Sequence, residues 1–402
     1  MEDKRPLQWG WFVLGAGFLT TFVSYSIRLG FGVILPEMMT SLNLSKAEGG
    51  RIYSVFLACY TIFSPIAGYL SDRFGGRRVI ALFCAILGLG LLSVGAADRL
   101  VTTILFFAVA GIGNSSTWVP VVSLTTKWFS AARRGFILGV LMVGSQTGYG
   151  VMGLVFPLLM ARYPWRFGWT VLGLSALMIA VVNGLLLRSQ PGKPDLSPGK
   201  AKEESKTPST DHRSSYTEIL RNGFFWQIGV SYFFISFCYY TFVSFVVAYG
   251  RIELGLAYGT ASAFASVFAF SALAGALPIS ALSDVLGRRK TILVSELVIT
   301  GAVALFLIAQ SSLVVSFIAI GIYGISFGPI FPLYGASARD YFEAEVTGTV
   351  LGAWTFIYGI GALLAPLVAG YLADLTGTFR WGFGLAGVTS LVASALMSRV
   401  QK

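Results

Sequence analysis

The sequence predicts an all-α membrane protein of twelve transmembrane helices in two six-helix pseudo-repeats. Three observations predict it. First, the 402-residue chain is 55% hydrophobic and only 12% charged, with a mean hydropathy of +0.75, whereas soluble chains carry about a quarter charged residues. That leaves too little polar surface to solvate a body of this size. A soluble enzyme, a disordered scaffold and a disulfide-rich secreted module are excluded. Second, the apolar residues gather in twelve runs long enough to cross a bilayer, which takes about 20 residues as a helix. Third, short patterns recur at nearly one offset between the two halves of the chain.

The runs of the first half are 9–36, 50–71, 79–97, 101–127, 135–161 and 168–187. The first is too long for the apolar stretch of a cleaved leader, has no small-residue cleavage site, and leads into further spans. Charged turns separate the rest: Arg73–Arg78, Asp98–Arg99, Lys127–Arg134 and Arg162–Arg166. Residues 188–222 follow, rich in Pro, Ser, Lys and Glu, including Gln190-Pro191-Gly192-Lys193-Pro194 and Lys202-Glu203-Glu204. This composition reads as a solvated linker with a short amphipathic piece near Tyr216–Leu220. The second half holds runs at 224–250, 257–283, 290–309, 312–338, 347–373 and 381–398, divided at Arg251, Arg288–Lys290, Arg339 and Arg380. The expected organisation is therefore a half at 1–187, a linker at 188–222 and a half at 223–402. Gly328-Pro329, Pro332 and Pro366 mark bends in spans 10 and 11.

The net charge of +11 comes from 29 Lys and Arg against 18 Asp and Glu. In a soluble protein it would point to nucleic acid; in a membrane protein it reports orientation. With the N-terminus inside, 21 basic residues fall on inner segments and seven outside: Lys46, Arg51, Arg99, Arg162, Arg166, Arg251 and Arg380. Arg28 is left within a span. Both termini and the linker are thus expected in the cytoplasm, in the inner membrane of a prokaryote. Cys59, Cys84 and Cys238 sit in apolar runs without metal or disulfide spacing, and the single His212 lies in the linker. No metal, cofactor or ATP-binding motif is present. No intramembrane cluster of His, Asp or Glu offers a chemical step, so no enzyme is expected.

Leu70-Ser71-Asp72 recurs as Leu282-Ser283-Asp284, an offset of 212, and Trp165-Arg166-Phe167-Gly168 has a counterpart in Phe379-Arg380-Trp381-Gly382, an offset of 214. Both pairs occupy the same place in their half, which indicates duplication. Parallel repeats of this kind put a substrate site at the repeat interface near the membrane midplane. The turn after span 2 reads Gly68-Tyr69-Leu70-Ser71-Asp72-Arg73-Phe74-Gly75-Gly76-Arg77-Arg78. The turn after span 8 reads Ser280-Ala281-Leu282-Ser283-Asp284-Val285-Leu286-Gly287-Arg288-Arg289-Lys290.

These turns resemble the cytoplasmic signature of the major facilitator superfamily, and the resemblance covers the whole chain. It implies a twelve-helix fold and a conformational latch that closes the cytoplasmic side. The latch residues by resemblance are Asp72, Arg73 and Arg77, with Arg134 as candidate ion-pair partner of Asp72. In the second copy they are Asp284 and Arg288, with Val285 standing where the first copy has Arg73. Within the superfamily, Trp9-Gly10-Trp11 and Arg133-Arg134 followed by Gly139 and Gly144 resemble the monocarboxylate porter group. The acidic element before the Trp is missing, and the group's Asp and Arg of helix 8 are absent from Phe270–Gly275. Ile27-Arg28-Leu29 with Leu35-Pro36-Glu37-Met38 is similar to organic-anion branches, which carry an Arg in helix 1.

Arg28 lies past the midpoint of span 1, after Ser24, Tyr25 and Ser26. Its insertion costs about 2.5–3.5 kcal/mol, so it faces a wet cavity or a partner. Guanidinium suits a carboxylate or phosphate. The alternative is a structural role, snorkelling to the outer interface. Glu296, the acidic residue inside span 9, reads as structural: the resemblance implies that helix 9 is peripheral, and the residue is near enough to the cytoplasmic end to snorkel. Further candidates for a substrate pocket are Asn114, Ser115, Ser116 and Trp118 in span 4, and Ser145, Gln146 and Thr147 in span 5. Tyr239 and Tyr240 in span 7, Phe331 and Tyr334 in span 10, and Trp354 and Tyr358 in span 11 complete the set; helix packing is the competing use of each. The expected function is secondary active transport of a small organic anion, monocarboxylate-like, by alternating access. Protons are the candidate coupling ion, a monomer in the lipid bilayer is expected, and nucleic acid plays no part. The alternatives are efflux of amphipathic drug-like compounds, suggested by 14% aromatic residues, and a non-transporting membrane sensor, disfavoured because only Arg399–Lys402 follows span 12.

Overall fold

The computed structural model describes residues 5–130, 133–188, 219–309, 312–343 and 346–400, with side chains from Trp9 onward. Most of the linker 188–222 lies outside the described residues. So does most of its expected amphipathic piece. Twelve helices are long and apolar enough to cross a membrane. In chain order they are α1 (Trp9–Leu42), α2 (Lys46–Phe74), α3 (Gly76–Gly95), α4 (Leu100–Thr126), α5 (Arg134–Met160), α6 (Trp165–Leu186), α7 (Gly223–Glu253), α8 (Tyr258–Leu286), α9 (Arg288–Ile308), α10 (Leu313–Tyr341), α11 (Thr347–Thr376) and α12 (Arg380–Arg399). No strand occurs among the described residues. A helix satisfies every backbone polar group within its own segment, which hydrocarbon demands.

Where helices run beyond the apolar runs, local chemistry accounts for it. α1 continues past Pro36 because Met38 and Met39 still find buried positions. It stops at Asn43, whose φ of +51° is a left-handed conformation that Asn tolerates. α2 starts four residues before its apolar run, at a capping box. Ser45 Oγ accepts from Glu48 N at 3.2 Å, and Glu48 Oε2 accepts from Ser45 N at 2.9 Å. The same helix start is capped from α11: Asp374 takes Lys46 N and Ala47 N on its two oxygens, both at 2.9 Å. Lys46 Nζ pairs with Glu253 at 3.1 Å, and Glu253 also accepts from Phe379 N at 2.7 Å. Two helices are interrupted. α4 consists of Leu100–Asn114 and Val119–Thr126, restarted by Pro120 in its first turn. α10 consists of Leu313–Phe327 and Ile330–Tyr341, divided at the expected Gly328-Pro329. α7 ends in a π turn at Tyr249–Glu253.

Packing divides the chain into two compact units. One contains the residues up to Ile34 and those from Val55 to the linker; the other contains Leu35–Ser54 and the chain beyond the linker. In the first, α3 packs on α4 and α6. In the second, α7 packs on α11 and α12, α8 on α10, and α9 on α10 and α12. Corresponding helices meet through glycine in both units. A Cβ on Gly148 of α5 would lie 2.3 Å from Phe22 O of α1, and one on Gly361 of α11 would lie 2.4 Å from Phe233 O of α7. The duplicated turns also share one backbone: Gly75 and Gly287 have φ of 90° and 89°, values that an L side chain strains to adopt. Exposed positions are apolar where lipid would lie, as at Leu82 and Leu89 of α3 and Met178, Val181 and Leu185 of α6.

Gly148→Ala and Gly361→Ala are each expected to destabilise the protein by about 1–3 kcal/mol through overpacking, read as a lower unfolding temperature in detergent. Gly301→Ala and Gly384→Ala, whose Cβ would meet nothing within 4 Å, should leave it unchanged or slightly raised. Equal effects at all four positions would contradict this packing.

Candidate functional site

Among the described residues two charged side chains are buried, Arg28 at 6% exposure and Glu296 at 0%. They lie in different units. Arg28 projects from α1 with its guanidinium carbon 4.1 Å from the ring centroid of Tyr60 on α2 and 5.7 Å from that of Tyr25. Ring faces carry negative charge and attract the cation. Tyr25 stands edge-on to Trp118 with centroids 5.9 Å apart. Trp118 sits in the break of α4, where residues 115–118 leave regular helix. The break is tied to α1: Asn114 Nδ2 donates to Ser24 Oγ at 3.0 Å, and Ser24 Oγ lies 2.6 Å from Thr117 Oγ1. Asn114 Oδ1 and Ser116 Oγ, both buried, find no hydrogen-bond partner among the described residues. Ser115 is turned back on Ile112 O at 2.7 Å. Arg28, Tyr25 and Trp118 thus form one constellation at the α4 break that Asn114 ties to α1, with Ser116 in the same break, and Tyr60 is the member that hydropathy did not single out.

On α5, Ser145 is buried and donates to Met142 O of its own helix at 2.8 Å. Gln146 is half-buried, with Oε1 unpartnered among the described residues, and Thr147 is half-buried beside it.

The aromatic candidates of the second unit separate into two groups. Tyr239 stacks on Phe327 at 4.1 Å and meets Tyr240 at 5.0 Å. Tyr240 in turn has Tyr53 at 6.3 Å and Tyr358 at 6.2 Å. Tyr358 joins this group to Tyr232 at 4.5 Å, and Tyr232 stacks on Tyr334 at 4.3 Å. Trp354 belongs to the packing between α7 and α11: it is fully buried and its indole N–H donates to Phe225 O at 2.9 Å. Phe331 is exposed.

Glu296 does not snorkel. α9 turns this face onto α7, α10 and α12, so the carboxyl is enclosed by protein. Oε1 lies 2.6 Å from the Tyr334 hydroxyl and 3.3 Å from Ser231 Oγ, while Oε2 has no hydrogen-bond partner among the described residues. The Glu296 backbone carbonyl accepts from Ser390 Oγ of α12 at 3.0 Å.

Both duplicated turns are tied to neighbouring helices. In the first, Asp72 is exposed, Arg73 Nη1 donates to Tyr69 Oη at 3.4 Å, and Arg77 Nε donates to Gly184 O of α6 at 2.8 Å. Arg134 is exposed, and no ion pair joins it to Asp72 among the described residues. In the second, Arg288 pairs with Asp284 at 2.9 Å and with Asp340 of α10 at 3.1 Å. Asp340 closes the network, and nothing in the sequence beside Arg339 marks it. Trp9 also gains a definite role: its N–H donates to Leu186 O at 3.1 Å, and Arg188 lies 3.7 Å over its ring.

The sequence profile described as Major Facilitator Superfamily matches residues 17–270 and 251–401. The chain belongs to this superfamily of membrane transporters. It is 24% identical to a hexuronate transporter of Bacillus subtilis (strain 168), over 99% of this chain and 94% of the relative. It is 27% identical to monocarboxylate transporter 13 of Rattus norvegicus, over 97% of this chain and 88% of the relative. Its fold matches the crystal structure of a bacterial homolog of the human lysosomal transporter Spinster in an inward-facing, unoccupied conformation. The TM-score is 0.80 at 18% identity, covering 97% of this chain and 96% of that one.

Replacing Tyr60 by Leu removes the ring under Arg28 and is expected to cost about 0.5–2 kcal/mol. Tyr60→Phe keeps the ring and should unfold with the parent. A thermal scan in detergent that finds Phe as damaging as Leu would contradict the ring contact.

Proposed function

We propose that this chain is a secondary active transporter of a small organic anion, with Arg28 as the charge anchor. One observation carries the reading. Among the described residues of the first unit, Arg28 is the buried charged side chain, and its guanidinium lies against the rings of Tyr60 and Tyr25. A fixed cation in a low-dielectric surround selects an anion and disfavours a cation. The planar guanidinium takes a carboxylate through two parallel hydrogen bonds. Asn114 Oδ1 and Ser116 Oγ offer hydrogen-bonding capacity for substrate hydroxyls, and Tyr25, Tyr60 and Trp118 supply an aromatic wall. Two relatives are named for the transport of hexuronate and of monocarboxylates, and both substrate classes are organic acids.

The reading includes alternating access, with residues 1–187 and 223–402 as the two six-helix halves and 188–222 as the linker. The bias of Lys and Arg toward inner segments supports cytoplasmic termini in a prokaryotic inner membrane. The protein works as a monomer and makes or breaks no covalent bond. The turns at Asp72, Arg73, Arg77 and Arg134 and at Asp284 and Arg288 are its latch. Within the second turn's own unit, Arg288 is tied to Asp340 of α10.

Purified protein in liposomes tests the anchor. Under an imposed pH gradient, D-glucuronate or lactate should show saturable uptake, and a neutral hexose should not. Arg28→Ala should cut uptake of the acid by about thirtyfold or more, the lower end of the about 2–5 kcal/mol lost with a buried charge partner. Arg28→Lys should retain part of it. Uptake of the hexose in preference to the acids, or undiminished uptake by Arg28→Ala, would overturn the proposal.

A further inference from the structure

The second unit encloses a carboxyl group that the anion anchor does not use. Glu296 is fully buried on α9, three helices surround it, and one of its oxygens meets no hydrogen-bond donor among the described residues. A carboxylate in such a place would need a counter-charge or several donors. From α7 the facing groups are Ser231, with Tyr232 and Cys238 beyond it. From α10 they are Tyr334, with Tyr323 in contact with Cys238 at 3.3 Å. From α12 they are Ser390 and the Ala393 carbonyl. Arg289, at the start of α9, is engaged elsewhere, on the Met397 and Ser398 carbonyls. No Lys, Arg or His forms an ion pair with Glu296 among the described residues.

The oxygen-to-oxygen contacts count the protons. Glu296 Oε1 and Tyr334 Oη are 2.6 Å apart, Tyr334 Oη and Ser231 Oγ are 2.6 Å apart, and Ser231 Oγ and Ala393 O are 3.0 Å apart. Each of these three contacts needs a hydrogen between its oxygens. Tyr334 and Ser231 own one hydroxyl hydrogen each, and Ala393 O owns none. With an ionised carboxylate one contact is left as two lone pairs facing each other. With a neutral acid all three close in one direction: Glu296 O–H donates to Tyr334, Tyr334 to Ser231, and Ser231 to Ala393 O. The unpartnered Oε2 is then a neutral carbonyl oxygen, far cheaper to bury than half of a carboxylate.

We propose that Glu296, Tyr334 and Ser231 form a proton-binding site in the second unit, and that its proton is the one coupled to anion uptake. The coupling clause rests on the transport reading above. Release of the proton leaves the Glu296 carboxylate. Tyr334 then donates to Oε1, and Ser231, with one hydrogen, must choose among Tyr334, Ala393 O and Oε1 at 3.3 Å. Deprotonation therefore breaks one contact among α7, α9, α10 and α12. Tyr334, which changes from accepting to donating toward Oε1, sits on the helical piece after the Gly328-Pro329 break. Its ring also begins the Tyr334, Tyr232, Tyr358, Tyr240 series, which leads to the aromatic cluster at Tyr239.

Two measurements on the full chain test this. Infrared difference spectroscopy on purified protein needs no substrate: at neutral pH the parent should show the carbonyl stretch of a protonated buried carboxyl, missing in Glu296→Gln and displaced in Tyr334→Phe. A carboxylate signal in its place would overturn the proton site. In liposomes, Glu296→Gln mimics the neutral acid. It should keep exchange of labelled against unlabelled D-glucuronate or lactate at equal pH on both sides, while accumulation driven by a pH gradient falls by about tenfold or more. Accumulation at the parent level in Glu296→Gln would overturn the coupling. If the parent itself moves no organic acid, the transport reading fails and the coupling fails with it. The infrared result still decides the proton site.

Discussion

Charge is expensive in hydrocarbon, and that cost orders this molecule. It sends nearly every Lys, Arg, Asp and Glu to helix ends and turns, and it forces the backbone into helices that satisfy their own polar groups. The buried exceptions among the described residues are Arg28 and Glu296. Each is stabilised differently. Arg28 keeps its charge and rests against the faces of Tyr60 and Tyr25. Glu296 sits in a hydroxyl cluster whose hydrogens balance when the acid is neutral. On the proposed reading Arg28 is a permanent cation and Glu296 holds a removable proton, the pair that an anion carrier driven by protons requires.

The two units solve their packing with the same devices, and diverge at the chemistry. Gly148 and Gly361 bring α5 onto α1 and α11 onto α7. Gly168 and Gly382 do the same for the following helix, against Phe156 and Ala369. Gly75 and Gly287 share one turn conformation. Around those turns Arg288 bridges Asp284 and Asp340, and Arg77 donates to Gly184 O at the end of α6. Duplication supplied a scaffold, and the polar residues were free to differ on it.

Much of the fold was legible because hydropathy reads directly as membrane depth. All twelve spans were found, and the Gly328-Pro329 break in α10 followed from residue chemistry. The start of α2 was missed because Ser45 and Glu48 act through a capping box, which carries no hydropathy signal. The break in α4 was missed because Asn114–Trp118 read as pocket polarity within a continuous helix. Arg28 stood out in one dimension, since a cation in an apolar run needs no partner to be noticed. Tyr60, Ser231, Asp340 and Asp374 did not, because their importance lies in which helix faces which. Glu296 reads as structural for the same reason: its distance from the membrane edge is visible in sequence, and the direction of its helix face, onto Tyr334 and Ser231, is not.

On the proposed reading the two buried charged residues divide the labour: Arg28 binds the anion and Glu296 carries the proton. Calorimetric titration of the transported acid into purified protein at one fixed pH tests it most directly. Arg28→Gln should weaken binding by about thirtyfold or more, while Glu296→Gln should bind within about threefold of the parent. Unchanged affinity in Arg28→Gln, or an equal loss in Glu296→Gln, would contradict the account.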